Sequence, residues 1–246
     1  MAARDYGQYC GVTRSLELVG ERWAMLIVRD LLVGPRRYGE LADGLPRIPT
    51  NILAARLKEL QAAGVIRRAP RSRVVVYELT DYGRELEPVV LALGAWGFKA
   101  MTDPREDQVL TPDAMTMTLR TAFRPQVAAS LPATAYAAHL DATELFIRVD
   151  GPTLAVTRGH LPVDLAFAAG PSIHRLISGD LSADRDRHRC DRGAERARRS
   201  PGPFLEHLPP RGLTRPSRVQ RRLRMLASVM VTTIPIGTSR PQARPW

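Results

Sequence analysis

The chain is expected to fold as a mainly α-helical first half carrying one β-hairpin, followed by a smaller α+β domain and an irregular tail. Three observations predict this. Apolar residues recur at helical spacing in four successive segments between Val12 and Gly64, each closed by glycine or proline. The period then switches to alternation in two short runs on either side of Ala69-Pro70-Arg71-Ser72-Arg73. Beyond Ala183, arginine and proline accumulate with no sustained period.

Val12, Leu16 and Val19 set the first helix, which Gly20 closes. Trp23, Leu26, Ile27 and Leu31 stripe a second, from about Glu21 to Val33, ended by Gly34-Pro35. A short third helix covers Tyr38–Asp43, and Gly44-Leu45-Pro46-Arg47 leads to a fourth over 49–63. Pro49, Thr50 and Asn51 are helix-starting types and Gly64 is a terminator. Helix, short Gly/Pro-bearing turn and helix is the helix-turn-helix arrangement. On the fourth helix Ile52, Leu53, Leu57 and Leu60 share one face; Thr50, Asn51, Ala54, Ala55 and Lys58 share the other. That outer face is short-chained and free of acids, which suits close approach to base edges in a DNA major groove: Thr50 and Asn51 for hydrogen bonds, Ala54 and Ala55 for thymine methyls. Alone, the stretch would read equally well as an ordinary amphipathic core helix.

The two alternating runs, 65–68 and 74–79, form a hairpin whose tip at 69–73 is basic. A hairpin placed after a recognition helix is a wing, able to touch phosphate or the adjacent minor groove, with Arg71 and Arg73 as its contacts. Arg36, Arg37 and Tyr38, at the turn entering the third helix, are further candidates for phosphate, as is Lys58; a solvated turn is the alternative for the first three. Thr80-Asp81 then caps a long helix on which Tyr82, Leu86, Val89, Leu93 and Trp96 repeat at spacings of four and three. This seam, with Val12 and Leu16 of the first helix, fits a homodimer interface, and packing within one chain is the alternative. Pro88 is expected to kink the long helix.

Charge supports a polyanionic partner locally rather than globally. The net charge is +11, yet residues 1–181 carry 21 basic and 20 acidic side chains, and residues 182–246 carry 15 Arg, no Lys and 5 acids. Within the near-neutral body, Arg47 to Arg73 gathers seven basic residues against one acid, Glu59. Two cysteines, Cys10 and Cys190, are too few for a disulfide framework and fit a reducing compartment. No signal pattern opens the chain, and no apolar run reaches the roughly 18 residues a membrane helix needs. A cytoplasmic protein with no membrane partner is expected.

Cys10 to Met101 resembles the HxlR family of bacterial winged helix-turn-helix regulators. The resemblance is carried by Glu-Arg-Trp-Ala-Met-Leu-Ile-Val-Arg-Asp-Leu-Leu (21–32), Gly-Pro-Arg-Arg-Tyr-Gly-Glu-Leu (34–41), Leu-Ala-Ala-Arg-Leu-Lys-Glu-Leu (53–60) and Tyr-Glu-Leu-Thr-Asp-Tyr-Gly-Arg-Glu-Leu (77–86). It implies a homodimer on double-stranded DNA, with one recognition helix per half-site of a pseudo-palindromic operator. Pro49 and Asn51 stand where members of the family often have serine and a basic residue, so the operator sequence does not transfer. Arg56 falls toward the buried side of the recognition helix and reads as a structural or backbone contact. In some members a cysteine at the position of Cys10 senses oxidants or electrophiles; the alternative is a small apolar residue buried at the dimer interface.

The remaining chain divides into a linker at 103–111, an α+β domain at 112–183 and a tail at 184–246. Thr111-Pro112-Asp113 begins a helix, strands are expected at 134–140, 145–149, 153–157 and 163–167, and Pro171–Ile177 returns to helical spacing. The pattern Leu145 to Val156 and the run Leu-Ile-Ser-Gly-Asp-Leu-Ser (176–182) are loosely similar to sterol-carrier-like domains. That similarity implies a cavity for a small apolar ligand; a domain that only stabilises the dimer is the alternative. The domain stops before such a fold is complete. Eight of the 20 prolines lie between 201 and 246, so the tail reads as disordered, and its Arg and Pro without Lys point to an upstream frameshift. An arginine-rich arm with non-specific affinity for nucleic acid is the functional alternative, and Met225–Ile236 is an apolar, aggregation-prone stretch.

No catalytic constellation emerges. His139, His160, His174, His188 and His207 are not at ligand spacing and no phosphate-cradling glycine motif occurs, so neither enzyme activity nor a cofactor or metal is expected. A DNA-binding repressor is the leading reading. The alternative is a carrier of lipid or small apolar ligand in which the winged helix only dimerises.

Overall fold

The structure is a computed structural model and describes residues 5–102, 104–105, 107–140, 143–159, 162–168, 225–226 and 228–230. It divides into two units, Met1–Ala100 with Glu106–Thr121, and Met101–Arg105 with Ala122–Trp246.

In the first unit, α2 (Ala24–Val33) is apolar almost all round and is buried to match: Ala24, Ile27, Val28, Leu31 and Leu32 lie in the core. Around it pack α1 (Gly11–Val19), α3 (Tyr38–Gly44) and α4 (Thr50–Ala62), the last through Leu53, Leu57 and Leu60. Each such leucine contributes roughly 1.5–3 kcal/mol by leaving water. At the end of α4, Gly64 takes φ +70, the Val65 N–H donates to the Leu60 carbonyl at 3.0 Å, and the Gly64 N–H donates to that of Gln61. This closes the last carbonyls and turns the chain directly into a strand.

That strand, β1 (Ile66–Arg71), pairs antiparallel with β2 (Val74–Leu79). The hairpin is longer than expected. Ala69, Pro70 and Arg71, assigned to the tip by sequence, are in the ladder, and only Ser72 and Arg73 form the turn, with Ser72 at φ +55. Pro70 is tolerated because β1 has only one neighbour in its sheet. Arg36 exchanges both backbone hydrogen bonds with Tyr77, at 3.0 and 2.7 Å, so the turn before α3 is stitched to the wing.

The expected long helix after Thr80 is broken rather than kinked. It becomes α5 (Asp81–Arg84) and α6 (Glu87–Phe98), separated at Glu85-Leu86, with Pro88 in the first turn of α6. Proline has no N–H to give to the preceding turn and its ring crowds the carbonyl four residues earlier, so the helix restarts there. Thr80 caps α5 by accepting from the Gly83 N–H at 3.0 Å.

Helix α7 (Pro112–Ala122), read from sequence as the start of the second domain, belongs to the first unit up to Thr121. Met117 joins the core, and Arg120 donates to the Leu32 carbonyl at the end of α2 at 3.1 Å. Leu32 lies 88 residues from Arg120 in sequence, beyond the reach of any local pattern.

The second unit holds α8 (Pro125–Ala128), absent from the sequence reading, and a four-stranded sheet: β3 (Thr134–Leu140), β4 (Thr143–Asp150), β5 (Thr153–Thr157) and β6 (Leu165–Ala168). The order is β5-β4-β3-β6, antiparallel except for the β3–β6 pair. Gly151, at φ +54, makes the expected turn between β4 and β5, and Tyr136, Leu145 and Ile147 are buried. Within the stretch expected to lack structure, Met225, Leu226 and Ser228 to Met230 are helical; Leu226, Val229 and Met230 are buried, and the Arg124 N–H donates to the Val229 carbonyl at 2.9 Å. Burial of apolar side chains gives these residues the order that local composition did not suggest. The helix expected at 171–177, the run 176–182 and the rest of the tail lie outside the described residues.

Candidate nucleic-acid interface

The buried leucines of α4 fix which face turns outward. Thr50, Asn51, Ala54 and Lys58 are exposed and Ala55 is half-buried, so the four expected base-contacting residues and Lys58 share one accessible face. Pro49 occupies the cap position in extended backbone at ψ 141 and leaves the first turn free of a side-chain cap. The Tyr38 hydroxyl donates to the Thr50 carbonyl at 2.8 Å, tying the start of α3 to the start of α4. Tyr38, assigned to phosphate by sequence, thus also positions the recognition helix. Arg56 is buried, pairing with Glu21 at 3.2 Å and with Glu59. That agrees with its structural reading.

Arg37 is exposed beside the start of α3, where its backbone N–H donates to the Glu40 carboxylate at 2.6 Å. Arg36 is different. Its guanidinium makes a two-pronged pair with Asp113, at 2.9 Å from Nε to Oδ2 and 2.7 Å from Nη2 to Oδ1. The two side chains are 14% and 4% exposed, so this arginine is committed inside the first unit and is not available to phosphate as sequence had it. The missing signal was Asp113, 77 residues downstream.

On the wing, Arg73 is exposed at the turn and Arg71 stands beside it. Arg71 and Arg67 both pair with Glu78, at 2.9 and 2.8 Å. The hydrogen bond from Arg71, then that from Arg67, holds the Glu78 carboxyl below its ordinary range. Both arginine side chains remain more than 60% exposed, so one carboxylate offsets only part of the charge they present to solvent. Arg68 lies over the Tyr77 ring, 5.9 Å from its centre. Glu78 was missed by sequence because alternation marks it only as a strand residue.

A second accessible surface is apolar. Val12 and Leu16 on α1, Tyr82 on α5, and Val89, Leu93 and Trp96 on α6 are each about half exposed or more. Leu86, which the sequence placed with them, instead packs against the core of its own chain, because the break before α6 redirects it. Cys10 stands at the N-cap position of α1 and is exposed in the single chain; hydrogen bonds from the backbone of Thr13 and Val12 lower its thiol pKa.

His139 pairs with Glu144 at 3.1 Å, and no cluster of three metal-ligating residues occurs among the described residues. His160, His174, His188, His207 and Cys190 lie outside them. No described helix is long and apolar enough to cross a membrane.

Comparison with known proteins matches residues 18–105 to the family described as HxlR-like helix-turn-helix. The chain is similar to the HTH-type transcriptional regulator sll1512 of Synechocystis, with 36% identity over 96 residues, covering 38% of this chain and 71% of that protein. It is also similar to the HTH-type transcriptional regulator YdeP of Bacillus subtilis, 37% identical over 93 residues, covering 37% of this chain and 73% of the relative. The crystal structure of an HTH-type regulator, ytcD, is 38% identical and covers 37% of this chain and 96% of that one, with a TM-score of 0.35. None of these likenesses supports the sterol-carrier-like reading of the second half.

Proposed function

The chain belongs to the HxlR-like helix-turn-helix family, and from that premise we propose that it is a transcriptional repressor that binds a pseudo-palindromic operator as a homodimer. The observation that carries the reading is the outward face of α4, where Thr50, Asn51, Ala54 and Lys58 are exposed on a helix whose opposite face is locked into the core. Asn51 suits bidentate contact with adenine, and the alanines suit thymine methyls. Arg37, Lys58, Arg71 and Arg73 take phosphate; Arg36 is withdrawn from that set because Asp113 holds it. The apolar residues on α1, α5 and α6 supply the face a second copy covers. A recognition helix and a wing occlude DNA without any further surface, which favours repression. A Cys10 exposed in the single chain, with a thiol pKa lowered by backbone hydrogen bonds from Thr13 and Val12, supports oxidation as a means of control.

The test is fluorescence anisotropy of a labelled duplex from the gene's own upstream region, against a scrambled duplex, at two salt concentrations. The native duplex is expected to bind more tightly, with the preference persisting at higher salt. Replacing Arg71 and Arg73 by Ala should weaken binding to both duplexes and flatten the salt dependence, whereas Asn51→Ala should reduce the preference between them. An Asn51→Ala protein with unchanged preference would remove the base-reading role.

A further inference from the structure

The two turns that bracket α3 each carry an arginine, and one short stretch of chain holds both. Arg36, before α3, pairs with Asp113; Arg47, after it, pairs with Asp107. Nη2 of Arg47 donates to the Asp107 carboxylate at 2.7 Å and to the Asp107 backbone carbonyl at 3.0 Å. Both aspartates belong to the first unit and lie beyond the family-matched residues 18–105. The two pairs differ in kind. Arg36 and Asp113 are buried, whereas the side chains of Arg47 and Asp107 are 65% and 55% exposed. A buried two-pronged pair is a fixed anchor, while an exposed pair contributes so little net free energy that another anion can exchange into it. The anchor at Asp113 keeps Asp107 close: the stretch between them spans at most about 20 Å. A competitor tethered in this way re-forms its pair within the chain, at an effective concentration on the order of millimolar.

Arg47 stands where a bound duplex would have phosphate. Leu45 and Ile48 are buried, and the Ile48 N–H donates to the Leu45 carbonyl at 2.9 Å, which fixes the turn into α4. Pro46 and Pro49 restrict its backbone further. With Ile48 turned inward, Arg47, Pro49 and Thr50 are left exposed together. The Arg47 backbone is within about 10 Å of Thr50, at the end of α4 assigned to base edges. A helix that enters the major groove by its first residues has the phosphates of the groove wall beside that end. A guanidinium there suits a phosphate, and the two Asp107 oxygens that Arg47 meets occupy the place of phosphate oxygens.

We propose that Arg47 is a phosphate contact of the operator-binding surface and that Asp107 stands in for that phosphate in the free chain, restraining DNA affinity. The inference rests on the DNA-binding reading above. On binding, Arg47 leaves Asp107 for a DNA phosphate and Asp107 returns to water. Arg36 takes no part in the exchange, because its own aspartate is buried with it.

A double-mutant cycle in the full-length protein tests it, read by anisotropy with the native upstream duplex and the scrambled duplex over a range of salt. Asp107→Ala is expected to bind both duplexes about twofold to fivefold more tightly, the range an exposed ion pair allows. Its logarithmic salt slope should steepen by about 0.9, the share of one added phosphate contact. Preference between the duplexes should stay the same, since phosphate contacts do not read sequence. In an Arg47→Ala background the gain from Asp107→Ala should vanish. Should Asp107→Ala disturb folding, Asp107→Asn keeps the shape and must shift affinity in the same direction. An equal gain with and without Arg47 would mean that Asp107 acts only through its charge, and would overturn the proposal. Unchanged affinity in a folded Asp107 variant, beside a wild type that binds, would overturn it while leaving the DNA-binding reading intact. A wild type that binds neither duplex would remove that reading and this inference with it.

Discussion

Asp30 is a buried carboxylate on α2. It is 1% exposed, pairs with Arg29 through Oδ1, and leaves Oδ2 without a hydrogen-bond partner among the described residues. Burial pushes its carboxyl up from 3.8 to about 6, against the opposing pull of Arg29. The folded chain therefore holds this proton more tightly than the unfolded chain does. Stability from this group is complete below about pH 4 and is lost as the pH rises through about 6, a swing of up to about 3 kcal/mol. Asp30→Asn keeps the shape and removes the charge, so denaturant unfolding should show the variant gaining on the wild type between about pH 4 and pH 6 and keeping that gain at neutral pH. Parallel pH profiles for the two proteins would contradict this account of Asp30.

At the scale of elements, the junctions at α5 and α7 make the sharpest predictions. A Cβ on Gly83 would lie 2.0 Å from the Val65 carbonyl oxygen, a clash with backbone that no rotamer relieves. Gly83→Ala is expected to destabilise the protein by more than about 2 kcal/mol, read from the denaturant midpoint. Asp113→Ala strands the half-buried Arg36 and should cost about 3 kcal/mol, whereas Arg36→Met with Asp113→Leu should recover most of that loss, since removing both charges leaves neither uncompensated. These elements also show where sequence is informative. Helix ends were legible because Gly20, Gly34-Pro35 and Gly64 act locally, and the face of α4 was legible because leucines at spacings of three and four fix it. The break at Glu85-Leu86 was half legible: Pro88 announces a disturbance, while the cap at Thr80 and the packing of Leu86 decide its form. Arg36 was misread because an arginine in a turn has the same local signature whether it faces solvent or a carboxylate 77 residues away. The extent of α7's attachment failed for the same reason. Asp113 looks like an ordinary first-turn acid until Arg36 is placed beside it.

For the whole molecule, the proposed homodimer explains why one chain exposes Tyr82, Val89, Leu93 and Trp96. Trp96, 69% exposed on α6, is the side chain whose change should separate assembly from folding. Trp96→Glu is expected to lower the mass seen in sedimentation equilibrium to that of a single chain, with thermal unfolding still cooperative. Because the two recognition helices act together, the same change should weaken operator binding severely. A variant that remains dimeric would move the interface elsewhere. The central claim, that two copies of α4 read one operator, is tested most directly by hydroxyl-radical footprinting of the gene's upstream region with the intact protein. Two protected half-sites related by approximate two-fold symmetry, with centres about one helical turn apart or a multiple of it, are predicted. A single unsymmetrical footprint at saturating protein, or uniform protection without boundaries, would contradict it.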